Sequence, residues 1–416
     1  MERRNHMPLK TAGIIAEFNP FHEGHRLLLD KARKSGAETL LVVMSGNFVQ
    51  RGEPALLPKA YRAEAALRLG ADLVAELPLP WAMSGAETFA RGGVSLLSSL
   101  GAQELWFGSE CGLAAPLWKI ARLLETTAFS EALRVPLNEG LSFAAAREKA
   151  VELLAGKELS SLLHEPNNTL GIEYCRAIIK QGSSMLPRSI SRIGPGHHAS
   201  SIEGTMASGS ALRQEIRKKF KKDTLNANDN NSWRACLPHP SEEVVVKATK
   251  NGLCPSRISR MESAILSTLR RMKPEDFLHL PDISEGLENR LFQMAQKTSS
   301  LDELLFSVKA KRYSMARIRR ILLSAYLGIH AEDAKGMPPY IRILGFTSRG
   351  EAYLKTIARH LPLPLLTTST QLKRLDGRGA HVFNLESTAT DLYALSLPTP
   401  PPCGEEYRHR LIKPSV

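Results

Sequence analysis

The chain has 416 residues, 43% of them hydrophobic and 23% charged, the composition of a globular protein long enough for two domains. Lysine and arginine number 55 against 42 aspartates and glutamates, a formal net charge of +13. Such a surplus points to a polyanionic partner, nucleic acid or a membrane surface, with an evenly solvated basic surface as the plain alternative. The longest apolar runs fall well short of the roughly 18 residues that span a bilayer, and no secretory signal stands at the start. Five widely spaced cysteines without a CxxC pair argue against a zinc ribbon and a disulfide framework, so a cytoplasmic protein with no membrane partner is expected.

Residues 11–16 read as a short buried strand closed by Asn19-Pro20, and residues 24–35 as a helix with Leu27, Leu28 and Ala32 on one face. A second apolar strand covers 39–44, followed by a loop over 45–58 and a helix over 59–69 that Gly70 ends. A third strand at 72–76 is closed by Pro78 and Pro80, a helix spans 84–100, and a fourth strand at 104–107 ends at Gly108-Ser109-Glu110. Strand and helix recur about every 30 residues, the βαβ pattern that builds a parallel sheet. Residues 116–181 read as mostly helical, 184–193 as a broken strand and 206–220 as a helix. A basic run, 217–222, leads into a breaker-rich stretch, 223–232. Past Pro238 helices dominate, with segments at 257–271, 286–297 and 316–327, while 340–346 reads as a buried strand or a helix start. The expected architecture is an α/β domain over 1–222, a Rossmann-like parallel sheet with helices on both faces. A linker or exposed loop over 223–238 and a mainly helical basic domain over 239–416 follow it.

Ligands of such sheets bind at the carboxyl ends of the strands, which singles out Gly13-Ile-Ile-Ala-Glu-Phe-Asn-Pro-Phe-His-Glu-Gly-His25. His22-x-Gly24-His25 lies between a strand and a helix. Amides at a helix N-terminus favour an anion, Gly24 allows close approach, and two imidazoles three residues apart would both face it. They would donate hydrogen bonds to charge developing on a phosphate under attack. A metal-binding pair, or ordinary cap and surface residues, are the alternatives for an isolated HxGH.

Placed after the first strand of a βαβ fold, the tetrad resembles the signature of the HxGH nucleotidyltransferase superfamily, which shares its fold with class I aminoacyl-tRNA synthetases. Met206-Ala-Ser-Gly-Ser-Ala-Leu-Arg213 resembles the superfamily's second element, in which Ser208 or Ser210 would cap a helix and meet the β- and γ-phosphates beside Arg213. Gly209 departs from that pattern. A narrower resemblance rests on the 13–25 block with Met44-Ser-Gly-Asn-Phe-Val-Gln-Arg-Gly-Glu-Pro54, Gly70-Ala-Asp-Leu-Val-Ala-Glu-Leu-Pro78 and Phe107-Gly-Ser-Glu110. Pro166-Asn-Asn-Thr-Leu-Gly-Ile-Glu-Tyr174, Lys309-Ala-Lys-Arg-Tyr313 and Arg317-Ile-Arg-Arg320 complete the set. Together they are similar to the tRNA(Met) cytidine acetate ligases, over about residues 11–393.

The resemblance implies ATP as cosubstrate with magnesium, whose ligands it does not name. Acetate would attack the α-phosphate to give acetyl-adenylate, and the wobble cytidine in the anticodon arm of elongator tRNA(Met) would take the acetyl group on N4. The ATP-binding loop would comprise Ile15, Ala16, Glu17, Phe18, Asn19, Pro20, Phe21, His22, Glu23, Gly24, His25, Arg26, Leu27 and Leu28, with His22 and His25 catalytic. Gly108, Asn167 or Asn168, and Arg192 would complete the nucleotide site; Lys59 and Arg62 are further candidates for the triphosphate. Lys309, Lys311, Arg312, Tyr313, Arg317 and Arg320 would contact RNA, cations for phosphates and an aromatic for stacking, against the alternative of a solvated helix face. Three positions depart from the family pattern: Glu23 where asparagine is expected, His197 for tyrosine and Ala199 for aspartate. Residues 1–7 look like an extra leader, with Met7 a possible start. The competing readings are a small-molecule nucleotidyltransferase of the same superfamily and an RNA-binding protein that keeps a relic nucleotide fold.

Overall fold

The computed structural model describes residues 10–192, 207–220, 232–284, 286–310 and 313–414. The expectations for residues 1–7, Lys221, Lys222, residues 223–231, His197, Ala199, Lys311 and Arg312 lie outside them.

The strands are β1 (Thr11–Ala16), β2 (Thr39–Ser45), β3 (Phe48–Val49), β4 (Glu53–Pro54), β5 (Leu73–Leu77), β6 (Glu104–Ser109), β7 (Leu186–Ser191), β8 (Ile341–Phe346) and β9 (Leu365–Leu366). Seven of them form one sheet in the order β7-β6-β1-β2-β5-β8-β9, while β3 and β4 pair as a small hairpin inside the expected 45–58 loop. β1 is parallel to β2 and β6, β2 to β5, and β6 to β7. The exception is β8, which runs antiparallel to β5 and brings β9 with it. The mainly helical half beyond residue 239 therefore also supplies the last two strands of the sheet.

Period-2 alternation divides the core. Leu41, Val43, Leu73 and Ala75 face the helices Ala86–Ser99, Ala114–Leu123 and Pro166–Lys180. Leu40, Val42, Met44 and Val74 face the helices Glu23–Lys34, Lys59–Arg68, Gly209–Lys219 and His239–Lys250. Every residue of β2 is buried, as a central parallel strand covered on both faces requires. A third core joins Ile265, Leu291, Leu304 and Leu322 of the C-terminal helices to Phe48, Leu79 and Met83 from loops of the sheet. The helical half is thus packed onto the carboxyl ends of the strands.

A buried charge cluster ties these parts together and corrects one expectation. Lys59 is 4% exposed, and its Nζ lies 2.5 Å from Glu76 Oε1, 2.6 Å from Glu406 Oε1 and 3.4 Å from Glu386 Oε1. Arg342 of β8 pairs with Glu76 and Glu406 as well. Burial tends to lower the Lys59 pKa, but Glu406 and Glu76 outweigh it and hold the ammonium charged. Burial and the neighbouring Glu76 raise Glu386 far above the usual carboxylate range. Lys59 joins β5, β8 and the C-terminal helices; it does not face a triphosphate.

Candidate active site

The chain adds β2 and β5 on one side of β1 and then crosses to place β6 on the other. That reversal is the topological switch point where α/β sheets open a ligand crevice. β1 and β6 pair only through Ala12–Glu104 and Gly13–Leu105, and a cavity of about 390 Å³ opens between their carboxyl ends. Its walls include Ile15, Ala16 and Glu17 from β1 and its loop, Phe107 and Gly108 from β6, and Asn167, Arg192 and Ser208.

His22 is the N-cap of the helix Glu23–Lys34. Its Nδ1 accepts from the Gly24 amide at 3.1 Å, and its own amide donates to His25 Nδ1 at 3.2 Å. This is a capping box built from two imidazoles. The rings stack with centroids 3.8 Å apart, and Phe18 and Phe21 pack around His25 at 5.0 and 5.5 Å. Burial, then Arg192 and Arg213, lower the His22 pKa to about 3. Burial, then His22 and Arg192, push His25 well below its usual value. Both rings are therefore neutral. Since each Nδ1 accepts an amide proton, each ring carries its own proton on Nε2, a donor for an anion in the cavity.

A second helix N-terminus meets the first. Ser208 caps Gly209–Lys219, its Oγ accepting from Ala211 N at 3.1 Å and lying 3.0 Å from Ser210 Oγ. A Cβ on Gly209 would lie 3.3 Å from Arg213 Nη1 and 3.9 Å from His22 Cδ2, so the residue that departs from the expected pattern is where the two helix ends crowd together. Arg213 is 7% exposed; it donates to the Asn19 carbonyl at 2.9 Å and pairs with Glu53 at 2.8 Å. Burial raises Glu53, but Arg213 and Arg217 outweigh it and keep the carboxylate ionised. Two positive helix ends and Arg213 thus converge on one cavity, the electrostatics of a phosphate site.

The opposite end is closed by the start of helix Pro166–Lys180. Glu110 accepts from Asn167 Nδ2 at 2.6 Å and from Asn168 N at 2.8 Å. Arg192 donates to Asn167 Oδ1 at 3.4 Å. A Cβ on Gly108 would lie 3.3 Å from Arg192 Cγ. Asn168 is 1% exposed and accepts from the Cys111 amide at 3.1 Å, so it braces the loop while Asn167 faces the cavity.

Residues 9–406 match the family model for HIGH nucleotidyl transferases. Curated relatives include the tRNA(Met) cytidine acetate ligase of Acetivibrio thermocellus, 36% identical over 97% of this chain and 100% of that protein. That of Caldanaerobacter subterraneus subsp. tengcongensis is 38% identical over 93% of this chain and 96% of its own length. Thermotoga maritima TmcAL bound with alpha-thio ATP superposes with a TM-score of 0.88 at 32% identity, covering 97% of this chain and 99% of that one. The chain belongs to the tRNA(Met) cytidine acetate ligase family.

Against this family's expected residues the site divides. Ile15 to Asn19, His22, Gly24, His25, Leu27 and Leu28 line the cavity, with Gly108, Asn167 and Arg192. Pro20 and Phe21 are buried behind it. Glu23 pairs with Arg26 at 3.0 Å on the outer face of the helix, which turns its carboxylate away from the cavity. Arg62, a candidate for the triphosphate, is 1% exposed. It donates to the carbonyls of Leu57, Glu17, Ser45 and Gly46, a brace between two site loops that does not reach the cavity.

In the basic segment, Lys309 is exposed and Tyr313 is 8% exposed, its ring covered by Arg317 at 5.1 Å. Arg317 donates to Asp282 O and Ser284 Oγ at 2.9 and 2.6 Å, and Arg320 to Asp282 Oδ2 at 2.7 Å and Gln50 O at 3.2 Å. Both guanidiniums brace the fold, and the Tyr313 ring packs inward. Gln50, Arg51 and Glu110 belong to the site but were not singled out beforehand. All three sit inside blocks shared with the family, which was the available signal.

Proposed function

We propose that the chain is an enzyme that acetylates the wobble cytidine of elongator tRNA(Met) with acetate and ATP, acting in the cytoplasm on the anticodon arm. The observation that carries this reading is the pair of stacked imidazoles that line the cavity where two helix N-termini meet, each with Nδ1 already engaged by a backbone amide. In the first step an acetate oxygen bonds to the α-phosphorus while the bond from that phosphorus to the bridging oxygen breaks, and pyrophosphate leaves. His22 and His25 donate to the charge that grows on the α-phosphate. The triphosphate lies along Ser208, Ser210 and Arg213, with adenosine toward Gly108, Asn167 and Arg192. In the second step the cytidine N4 bonds to the acetyl carbon, the acyl–phosphate bond breaks, AMP leaves and the amine releases a proton.

Magnesium would neutralise the triphosphate. No cluster of three or more metal-ligating side chains occurs among the described residues. Glu17, in the wall of the cavity beside Arg51 and Arg213, is the carboxylate on that side. Acetate-dependent ATP–pyrophosphate exchange tests the first step. Exchange that requires acetate and disappears in His25→Ala is expected; undiminished exchange in that variant contradicts the assignment.

A further inference from the structure

Beside the nucleotide cavity lies a second cleft of about 490 Å³. It shares Arg51, Ser210 and Arg213 with the first and continues from its triphosphate end. Arg217 and Lys218 line one part of it, and Arg257 and Arg319 another. Its acidic residue is Glu53, already paired with Arg213 at 2.8 Å and Arg217 at 3.5 Å. We propose that this cleft holds the sugar–phosphate backbone of the RNA substrate beside the adenylate. The inference rests on the acetylation reading above and names the surface that would deliver the cytidine.

The cations exceed what a triphosphate needs. The first cavity already offers two helix ends, Arg192 and Arg213. Among the described residues the side chains of Lys218 and Arg319 form no hydrogen bond or ion pair; Arg319 acts on Glu53 only through its charge, after Arg213 and Arg217, so both groups can reach a ligand. They come from the helices Gly209–Lys219 and Met315–Leu327, far apart in sequence yet lining one cleft. On that second helix Arg317 and Arg320 are held by Asp282 from a loop, whereas Arg319 between them lines the cleft. Gly52 explains the closeness: a Cβ there would lie 2.6 Å from the Arg320 amide, so the turn carrying Arg51 rests directly on the helix carrying Arg319. A row of guanidinium and ammonium groups leading into a nucleotide site suits a single-stranded polyanion.

The same charges would also attract the tail of ATP or pyrophosphate, and the test separates these sources. The full-length Lys218→Glu/Arg319→Glu protein is compared with the parent for acetate-dependent ATP–pyrophosphate exchange and for tRNA binding across a salt series. Exchange and the KM for ATP should stay within about twofold. tRNA affinity should fall at least about tenfold, and the slope of log affinity against log salt should flatten by roughly 1.4, about 0.7 per lost contact. The milder Lys218→Gln/Arg319→Gln protein should fall in between. Unchanged tRNA affinity overturns the proposal. A raised KM for ATP that matches the loss in tRNA binding overturns it in favour of the triphosphate. A parent protein that exchanges pyrophosphate but binds no tRNA overturns the second step of the functional reading, and this proposal with it.

Discussion

Replacing His22 by asparagine separates its role as a helix cap from its role as a neutral donor. Asparagine is among the best N-caps, and its Oδ1 can accept from the Gly24 amide as Nδ1 does now. At pH 7 the variant should therefore keep its stability to within about 1 kcal/mol. Acid tells the two proteins apart. His22 titrates near 6.5 when unfolded and at about 3 when folded, so between these values the unfolded chain binds the extra proton and folding weakens as pH falls. At pH 5, about 1.5 pH units below the unfolded value, the cost is roughly 2 kcal/mol. Urea unfolding at pH 7 and pH 5 measures it. The parent should lose at least about 2 kcal/mol more than His22→Asn over that interval, because the variant lacks both the His22 titration and the His22 charge that lowers His25. Pyrophosphate exchange should drop about 10²–10³-fold in the variant at pH 7, the usual effect of losing one charge-stabilising donor. Identical pH dependence in the two proteins would refute a half-buried His22 held neutral.

Three further outcomes are expected. Gly52 has φ 68° and its missing Cβ would strike the Arg320 amide, so Gly52→Ala should lower stability by about 1–3 kcal/mol or more; a thermal melt within a degree of the parent contradicts the close contact. Lys59→Met removes the ammonium held among the buried Glu76, Glu386 and Glu406 and should cost about 3–5 kcal/mol in urea unfolding, whereas a loss under about 1 kcal/mol would show that the cluster is not coupled. Asn168→Ala leaves the Cys111 amide unpaired and should cost about 1–3 kcal/mol of stability. Asn167→Ala should instead raise the KM for ATP while melting like the parent, and the reverse pattern would exchange their roles.

Much of the first half of the fold can be read from the chain because each strand there is a short apolar run closed by its own turn residues. β1 and β2 start where those runs start, and the HxGH tetrad lies in the first βα loop, where it signals a phosphate site. Other features depend on partners that local pattern does not name. The run at 340–346 is apolar apart from Arg342 and only seven residues long, so periodicity cannot separate strand from helix, and nothing near it shows that β8 pairs antiparallel with β5. The strands β3 and β4 are two residues each, too short for any period. Lys59, Arg62, Arg317 and Arg320 look like surface cations in the sequence. Their acceptors, Glu76, the loop carbonyls and Asp282, come from other elements. Arg319 is one cation of the Arg317-Ile-Arg-Arg320 block in the sequence, and only the fold brings it into one cleft with Lys218.

The central claim is that this chain joins acetate to a tRNA cytidine through ATP. It is tested most directly by incubating the purified protein with ATP, labelled acetate and total bacterial tRNA, then digesting the RNA to nucleosides. Label in N4-acetylcytidine, dependent on ATP and on intact His22 and His25, is the predicted result. Turnover of ATP with acetate but no labelled nucleoside would contradict the RNA step, and no turnover at all would contradict the adenylating site.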